Sequence, residues 1–229
     1  MMWISDLLDL IFPRYCAVCG SILSATEKDI CVNCLCGMPI VEDIHKSEIE
    51  KLFWGIVPVE RATSYIYYRK GSPYNNLLHR IKYKDHPEIA VNLARAAATE
   101  MCIQGFFDGI DAIIPLPLSK KKERQRGYNQ SDYIAKGLSQ KSGVPVIRSC
   151  VARTVANETQ THKNRDERWQ NVDGIFAVLK PEQLQGKHLL LVDDVVTTGA
   201  TIAACAKCIT SLPGTKVSLF TLAYAYNGI

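Results

Sequence analysis

Beyond Pro58 the hydrophobic positions alternate between two rhythms. The aromatic and β-branched run from Ala62 to Tyr68 predicts a strand, and the spacing from about Pro73 to Tyr83 predicts a helix. An alanine-rich helix is expected from Pro87 to Gln104, a strand from Ala112 to Ile114, and a helix from Gln130 to Ser142. His188 to Val192 is apolar at nearly every position and reads as a buried strand; Ala200 to Leu212 follows as a helix and Val217 to Ala223 as a closing strand. Strands alternating with helices predict an α/β fold, a mostly parallel sheet with helices on both faces. Near the N-terminus, Trp3, Leu7 and Leu10 with Ile4, Leu8 and Ile11 recur at helical spacing, so an amphipathic helix ends at Pro13. The polar stretch Asn157 to Asn171 is too long and too charged for an ordinary connection, and is expected to be a mobile loop or lid. At 229 residues the chain has room for one full domain and a small module, expected as residues 1–58 and 59–229.

Charge changes this picture little. Twenty-seven basic against 23 acidic residues leave +4, too small a surplus to identify a nucleic-acid or membrane-surface protein without local clusters. No stretch approaches the roughly 18 apolar residues of a membrane span. Met1 to Phe12 carries Asp6 and Asp9 but no leading basic residue, so it reads as a packing helix, neither signal peptide nor membrane insertion.

The cysteines say more. There are nine, an odd number, and five are bunched between Cys16 and Cys36, which points to metal in a reducing, cytoplasmic compartment. Cys16 and Cys19 form one C-x2-C pair, Cys31 and Cys34 another, and the eleven residues between let two tight turns bring four thiolates to one tetrahedral zinc. Gly20 and Gly37, after the two pairs, are placed to supply positive φ. Cys36 remains an alternative to Cys34. A closed four-cysteine site has no open position, so this zinc is expected to be structural.

The segment Leu189 to Thr201, L-L-L-V-D-D-V-V-T-T-G-A-T, is a buried strand delivering two carboxylates and then a hydroxyl-rich turn that opens a helix. A helix N-terminus beyond the carboxyl end of a parallel strand offers N–H groups to a phosphate. Gly199 is expected to let the backbone approach the anion, and Thr197, Thr198 and Thr201 to add hydroxyl donors. Asp193 and Asp194 would repel phosphate, so they should serve vicinal hydroxyls or metal-bound water; they are expected at an exposed strand end. A sugar phosphate satisfies both halves. Neither GxxxxGK[ST] nor GxGxxG competes. Upstream, Lys120, Lys121, Lys122, Arg124 and Arg126 surround Glu123, a cluster suited to pyrophosphate, to a nucleic-acid backbone, or merely to solvent. Cys205 and Cys208 read as buried thiols, His79 as a surface residue, and Tyr65, Tyr67 and Tyr68 as packing.

The hydrophobic strand, two acids and T-T-G-x-T resemble the phosphoribosyl pyrophosphate (PRPP) motif of type I phosphoribosyltransferases. That resemblance implies ribose contacts for Asp193 and Asp194 and a 5′-phosphate site across Val195, Val196, Thr197, Thr198, Gly199, Ala200 and Thr201. Joined to the four-cysteine knuckle, the leader L-L-D-L-I-F-P, P-L-P-L-S at 115–119 and R-G-Y-N-Q at 126–130, the pattern resembles the ComF-type competence proteins of the ComF/GntX family. Gln160, Arg165, Arg168, Asn171 and Phe176 fall where that family shows the same residues, while Lys163 stands in place of the usual leucine. The resemblance implies PRPP contacts for Pro115, Leu116 and Pro117, closure of Arg165 and Arg168 over the site, and Mg²⁺ arriving with PRPP. It further implies a cytoplasmic role in natural transformation, with single-stranded DNA and other competence proteins as partners. The rival is a non-catalytic DNA-binding or scaffold module with a vestigial pocket; nucleobase salvage is disfavoured because the knuckle occupies the region where a base-recognising hood is expected.

Overall fold

The structure, a computed structural model, describes residues 13–83, 86–154 and 175–225. The expected leader helix and the loop carrying Gln160, Lys163, Arg165, Arg168 and Asn171 lie outside the described residues.

Four strands, β1 (Ala62–Tyr68), β2 (Ala112–Pro115), β5 (His188–Val196) and β6 (Lys216–Ala225), form a wholly parallel sheet in the order β1-β6-β5-β2. The register places Pro115 beside Val192 and Asp193 beside Thr221, so the carboxyl ends of β2 and β5 open on the same edge. β5 is buried on both sides because its two faces meet separate cores. Leu190 and Val192 pack with α3 (Asn75–Tyr83), α4 (Pro87–Ile103) and α6 (Gln130–Ser142). Leu189 and Leu191 pack with α7 (Ala200–Thr210) and with Ile49 of α2 (Asp43–Lys51). Helices therefore cover both faces, as expected of uninterrupted apolar strands. Gly137 of α6 permits the close α4–α6 contact: a Cβ there would lie 2.4 Å from the Val91 carbonyl oxygen.

The N-terminal segment joins this body. Cys16, Ala17, Val18, Leu23 and Met38 share a core with Leu77, Leu78 and Ile81 of α3. Val41 N–H donates to the Tyr65 carbonyl (2.9 Å) and Tyr67 N–H to the Pro39 carbonyl (2.7 Å), pairing residues 39–41 with the free edge of β1. The short α1 (Val32–Cys36) carries Cys34, and Cys31 is its N-cap.

Three features depart from expectation. β5 runs to Val196, so Asp193 and Asp194 lie within the strand rather than beyond it. The basic segment is a helix, α5 (Lys120–Arg126), without buried residues; Ser119 caps it by accepting from Lys122 N–H, and Gly127 ends it at φ 80°. Lys, Arg, Glu and Gln are strong helix formers, so α5 forms with no apolar period to betray it. Finally β3 (Val151–Arg153) and β4 (Phe176–Val178) form a small antiparallel ribbon that brings Arg153 toward the β5 acids.

Candidate functional site

The Sγ atoms of Cys16, Cys19, Cys31 and Cys34 all lie within 4.8 Å of one another. Zinc–sulfur arms of about 2.3 Å set tetrahedral sulfur edges of about 3.8 Å, and Cys19 and Cys31 are separated by 3.8 Å. Cys31 N–H donates to Cys16 Sγ (3.3 Å), and the Ser21 hydroxyl, 3.1 Å from Cys19 Sγ, lowers that thiol's pKa; both favour the thiolate a metal needs. The structure decides the ligand left open in sequence: Cys34 belongs to the cluster, while Cys36 is exposed outside it. Gly20 takes the expected positive φ of 78°. Gly37 does not, having φ −88°; a Cβ there would stand 3.1 Å from Tyr74 Oη, a tight contact relieved only if the hydroxyl gives by a few tenths of an ångström. Cys36→Ser is accordingly expected to keep one zinc per chain and Cys34→Ser to lose it, as read by metal analysis of protein purified without chelator. Zinc lost with Cys36 would overturn the assignment.

At the carboxyl end of β5 the two acids part company. Asp194 is buried, forms a 3.2 Å ion pair through Oδ2 with Lys82 Nζ of α3, and lines a cavity of about 570 Å³ with Val195 and Thr197. Asp193 Oδ1 accepts from the Ser131 hydroxyl (3.1 Å) and from the Asp194 N–H (2.8 Å). Burial, reinforced by the Asp194 charge, pushes the Asp193 carboxyl up to about 7. The expectation of an exposed acidic strand end is therefore corrected: Asp194 is buried and Asp193 half-buried, and Asp193 is held at a cost in its ionised form.

The turn from Thr197 leads into α7, whose N-cap Gly199 has φ 80° and supplies no side-chain cap. A Cβ at Gly199 would meet Phe53 Cε1 at 2.8 Å. The glycine is favoured by its backbone angle and by the ring behind it. Thr197 is exposed, Thr198 and Thr201 are half-buried, and the Thr198 hydroxyl accepts weakly from Ala200 N–H at 3.4 Å.

The loop after β2 serves a different opening. Pro115 and Pro117 line a groove of about 260 Å³ with Lys120, Asn129, Arg148 and Arg153, apart from the cavity of Asp194 and Thr197. Leu116 is core: its side chain is buried, its N–H donates to the Val192 carbonyl (2.8 Å), and its carbonyl accepts from Asn129 Nδ2 (3.0 Å). The R-G-Y-N-Q motif thereby acquires structural roles. Arg126 donates to Gln130 Oε1 (2.7 Å), Gly127 reverses the chain, Tyr128 donates to the Ile81 carbonyl of α3, and Asn129 caps α6 next to Ser131.

Of the five cations expected to act together, Lys120, Lys121 and Arg124 are exposed, while Lys122 and Arg126 are half-buried. Burial, then the charges of Arg153, Arg126 and Lys82, lower the Lys122 pKa. Arg153 packs over the Phe176 ring (5.6 Å) and feels the Asp193 charge; its Nε is buried without a hydrogen-bond partner among the described residues. Sequence reasoning missed Lys82, Ser131 and Arg153, which lie far from any motif quoted, and it set aside His79 and Tyr68, both of which line the large cavity.

A double zinc ribbon domain model matches residues 7–45. The DNA utilization protein YhgH of Salmonella typhimurium is 30% identical, over 86% of this chain and 91% of its own length. The chain belongs to the family of the DNA utilization protein YhgH and the ComF competence proteins. Another ComF relative, competence protein ComFC of Bacillus subtilis, is 29% identical over 91% of this chain and 83% of its own. Among solved structures, adenine phosphoribosyltransferase of Saccharomyces cerevisiae aligns over 61% of this chain and 70% of its own, with 17% identity and a TM-score of 0.39. This ComF-family chain thus joins a four-cysteine zinc ribbon to a mostly parallel sheet covered by helices. None of its described helices is long and apolar enough to cross a membrane.

Proposed function

We propose that this chain binds PRPP at the end of β5 and acts in the cytoplasmic handling of incoming single-stranded DNA, with phosphoribosyl transfer as its chemistry. The observation that carries the reading is that Asp194 and Thr197 line one cavity at a strand–turn–helix junction whose helix has no side-chain cap. The α7 N-terminus and the Thr197–Thr201 hydroxyls would hold the 5′-phosphate, and Asp194 with Asp193 would accept hydrogen bonds from the ribose hydroxyls. Transfer would form a bond from the acceptor to the anomeric carbon as the bond to pyrophosphate breaks, the leaving group taking the electron pair. No side-chain nucleophile is needed; the chain contributes position and charge. Arg153, a cation near Asp193, is suited to the departing pyrophosphate, with Lys122 beside Arg153 as a second cation, and we assign Arg165 and Arg168 to closure over it. Asp193 and Asp194 offer two carboxylates, one of them tied to Lys82, so Mg²⁺ would be held mainly by ligand oxygens and water. When bound, it would neutralise the leaving pyrophosphate.

Calorimetric titration with PRPP and Mg²⁺ tests this reading, with saturable one-site binding expected and pyrophosphate release then screened over acceptors. No heat at millimolar PRPP would favour the scaffold reading, for which the prior engagement of Asp193 by Ser131 speaks.

The relatives' names, DNA utilization and competence, support the DNA role. The exposed cations Lys120, Lys121 and Arg124 are its best candidates for phosphate contacts. Replacing all three with alanine should weaken single-strand binding and reduce the slope of log affinity against log salt by about 2, since each lost contact on a single strand removes about 0.7. An unchanged slope would return α5 to a solvated surface.

A further inference from the structure

We infer that Tyr74 and Asn76 are positioning residues that link the zinc ribbon to the sugar-phosphate cavity through α3. The inference rests on the PRPP reading for its effect on affinity, but its structural half stands alone.

The link is a short chain of contacts. At the start of α3 the Tyr74 hydroxyl donates to the carbonyl of the cysteine ligand Cys34 (2.9 Å), and Asn76 Nδ2 donates to the Val18 carbonyl between Cys16 and Cys19 (3.1 Å). Each C-x2-C turn thus gives one backbone carbonyl to one side chain at the start of this helix, Tyr74 just before it and Asn76 within its first turn. Leu77, Leu78 and Ile81 bury the same helix against Cys16, Ala17 and Val18. At its far end Lys82 pairs with Asp194, and Asn75, Asn76, His79, Lys82 and Tyr83 form a wall of the 570 Å³ cavity. His79 and Asn76 also line a second cleft, about 260 Å³, against Cys16 and Cys19. One nine-residue helix is therefore shared by the metal turns and the cavity.

A carbonyl is a useful acceptor only while its turn keeps its shape, and four thiolates on one metal fix the shapes of both turns. The hydrogen bonds of Tyr74 and Asn76 then fix where α3 begins, and a helix is stiff enough over two turns to carry that placement to Lys82. Gly37 adjoins the same contact, since a Cβ there would stand 3.1 Å from the Tyr74 hydroxyl and press on it.

The test uses the full zinc-loaded chain with Tyr74→Phe combined with Asn76→Ala. Three quantities are read: zinc content, amide hydrogen exchange across 75–83, and PRPP affinity with Mg²⁺. Expected are one zinc per chain as in wild type, faster exchange along α3, and PRPP binding about tenfold weaker, from two hydrogen bonds of ordinary net strength. Chelating zinc from wild type should accelerate α3 exchange at least as much. Gly37→Ala, with Tyr74 intact in sequence but pushed aside, should move exchange in the same direction. If the double variant and Gly37→Ala keep wild-type exchange and affinity, the link is overturned. If wild type itself takes up no PRPP, the reading of the cavity fails, while the exchange data alone still decide whether the metal turns hold α3.

Discussion

Asp193→Asn with Asp194→Asn is expected to weaken PRPP binding by more than about a hundredfold, the equivalent of two charge-assisted hydrogen bonds at 1.5–3 kcal/mol each. The single variants should separate the two acids. Burial holds the Asp193 carboxyl at about 7, against about 4 for an aspartate in an unfolded chain. Between those values the folded state carries a proton that the unfolded state has released, so stability falls as pH rises from about 4 to 7 and is flat above. Wild type at pH 8 bears the full penalty. Asp193→Asn, whose amide oxygen can still accept from Ser131 and the Asp194 N–H, should remove it: its thermal midpoint should exceed that of wild type at pH 8, with the gap closing toward pH 4. Asp194→Asn should instead cost stability, because the carboxylate is buried and its loss leaves the largely covered Lys82 ammonium without its counter-charge. Melts from pH 4 to 8 check this, beside titration with PRPP and Mg²⁺. Parallel pH profiles for wild type and Asp193→Asn would mean that Asp193 ionises normally, and undiminished PRPP binding by the double variant would refute the ribose assignment. A carboxylate that costs stability yet is required for ligand is what a binding site demands and a helix cap does not.

The sheet was legible because its strands declare themselves by uninterrupted apolar runs, and β5 with its acids and threonines was legible as a site because strand, turn and helix follow one another in the chain. The cysteine pairs were legible for the same reason. What escaped depended on contacts between distant segments. The partner of Asp194 is Lys82, more than a hundred residues away on an amphipathic helix where lysine is the expected solvent-facing residue. Arg153 reaches the site on a three-residue strand too short for a periodicity to register. Gly37 lacks the positive φ expected of it and Gly199 has one, yet each also sits against a side chain from a distant segment. One makes room for Tyr74 and the other for Phe53 at a positive φ, and neither neighbour can be seen from local sequence. Of the three residues the resemblance assigns to PRPP after β2, Leu116 is buried in the core, while Pro115 and Pro117 line a groove of their own, a division that depends on the folded register and not on the local pattern.

Removing the metal should damage far more than the knuckle. Cys16 is fully buried and, with Ala17 and Val18, packs against α3 in the same core as Leu190, Val192 and Phe220 of the sheet. A four-cysteine turn without zinc leaves thiols that cannot all stay close and charged, and zinc binding in such modules supplies on the order of 10 kcal/mol of folding energy at neutral pH. Typical domains are stable by only about 5–15 kcal/mol, so the metal-free chain should lose a large part of its margin rather than shed an independent appendage. Cys16→Ser, or wild type stripped with a chelator, should therefore melt at least 10 °C lower, the order expected when several kcal/mol are lost from a domain of this size. Restoring zinc should recover the stripped wild type but not the variant. Calorimetry on samples of measured zinc content checks this. An unchanged midpoint in metal-free protein would show that residues 39–41 on β1 and the packing around Val18 and Leu23 hold this end of the molecule without the metal. The link through Tyr74 and Asn76 would then have nothing to transmit.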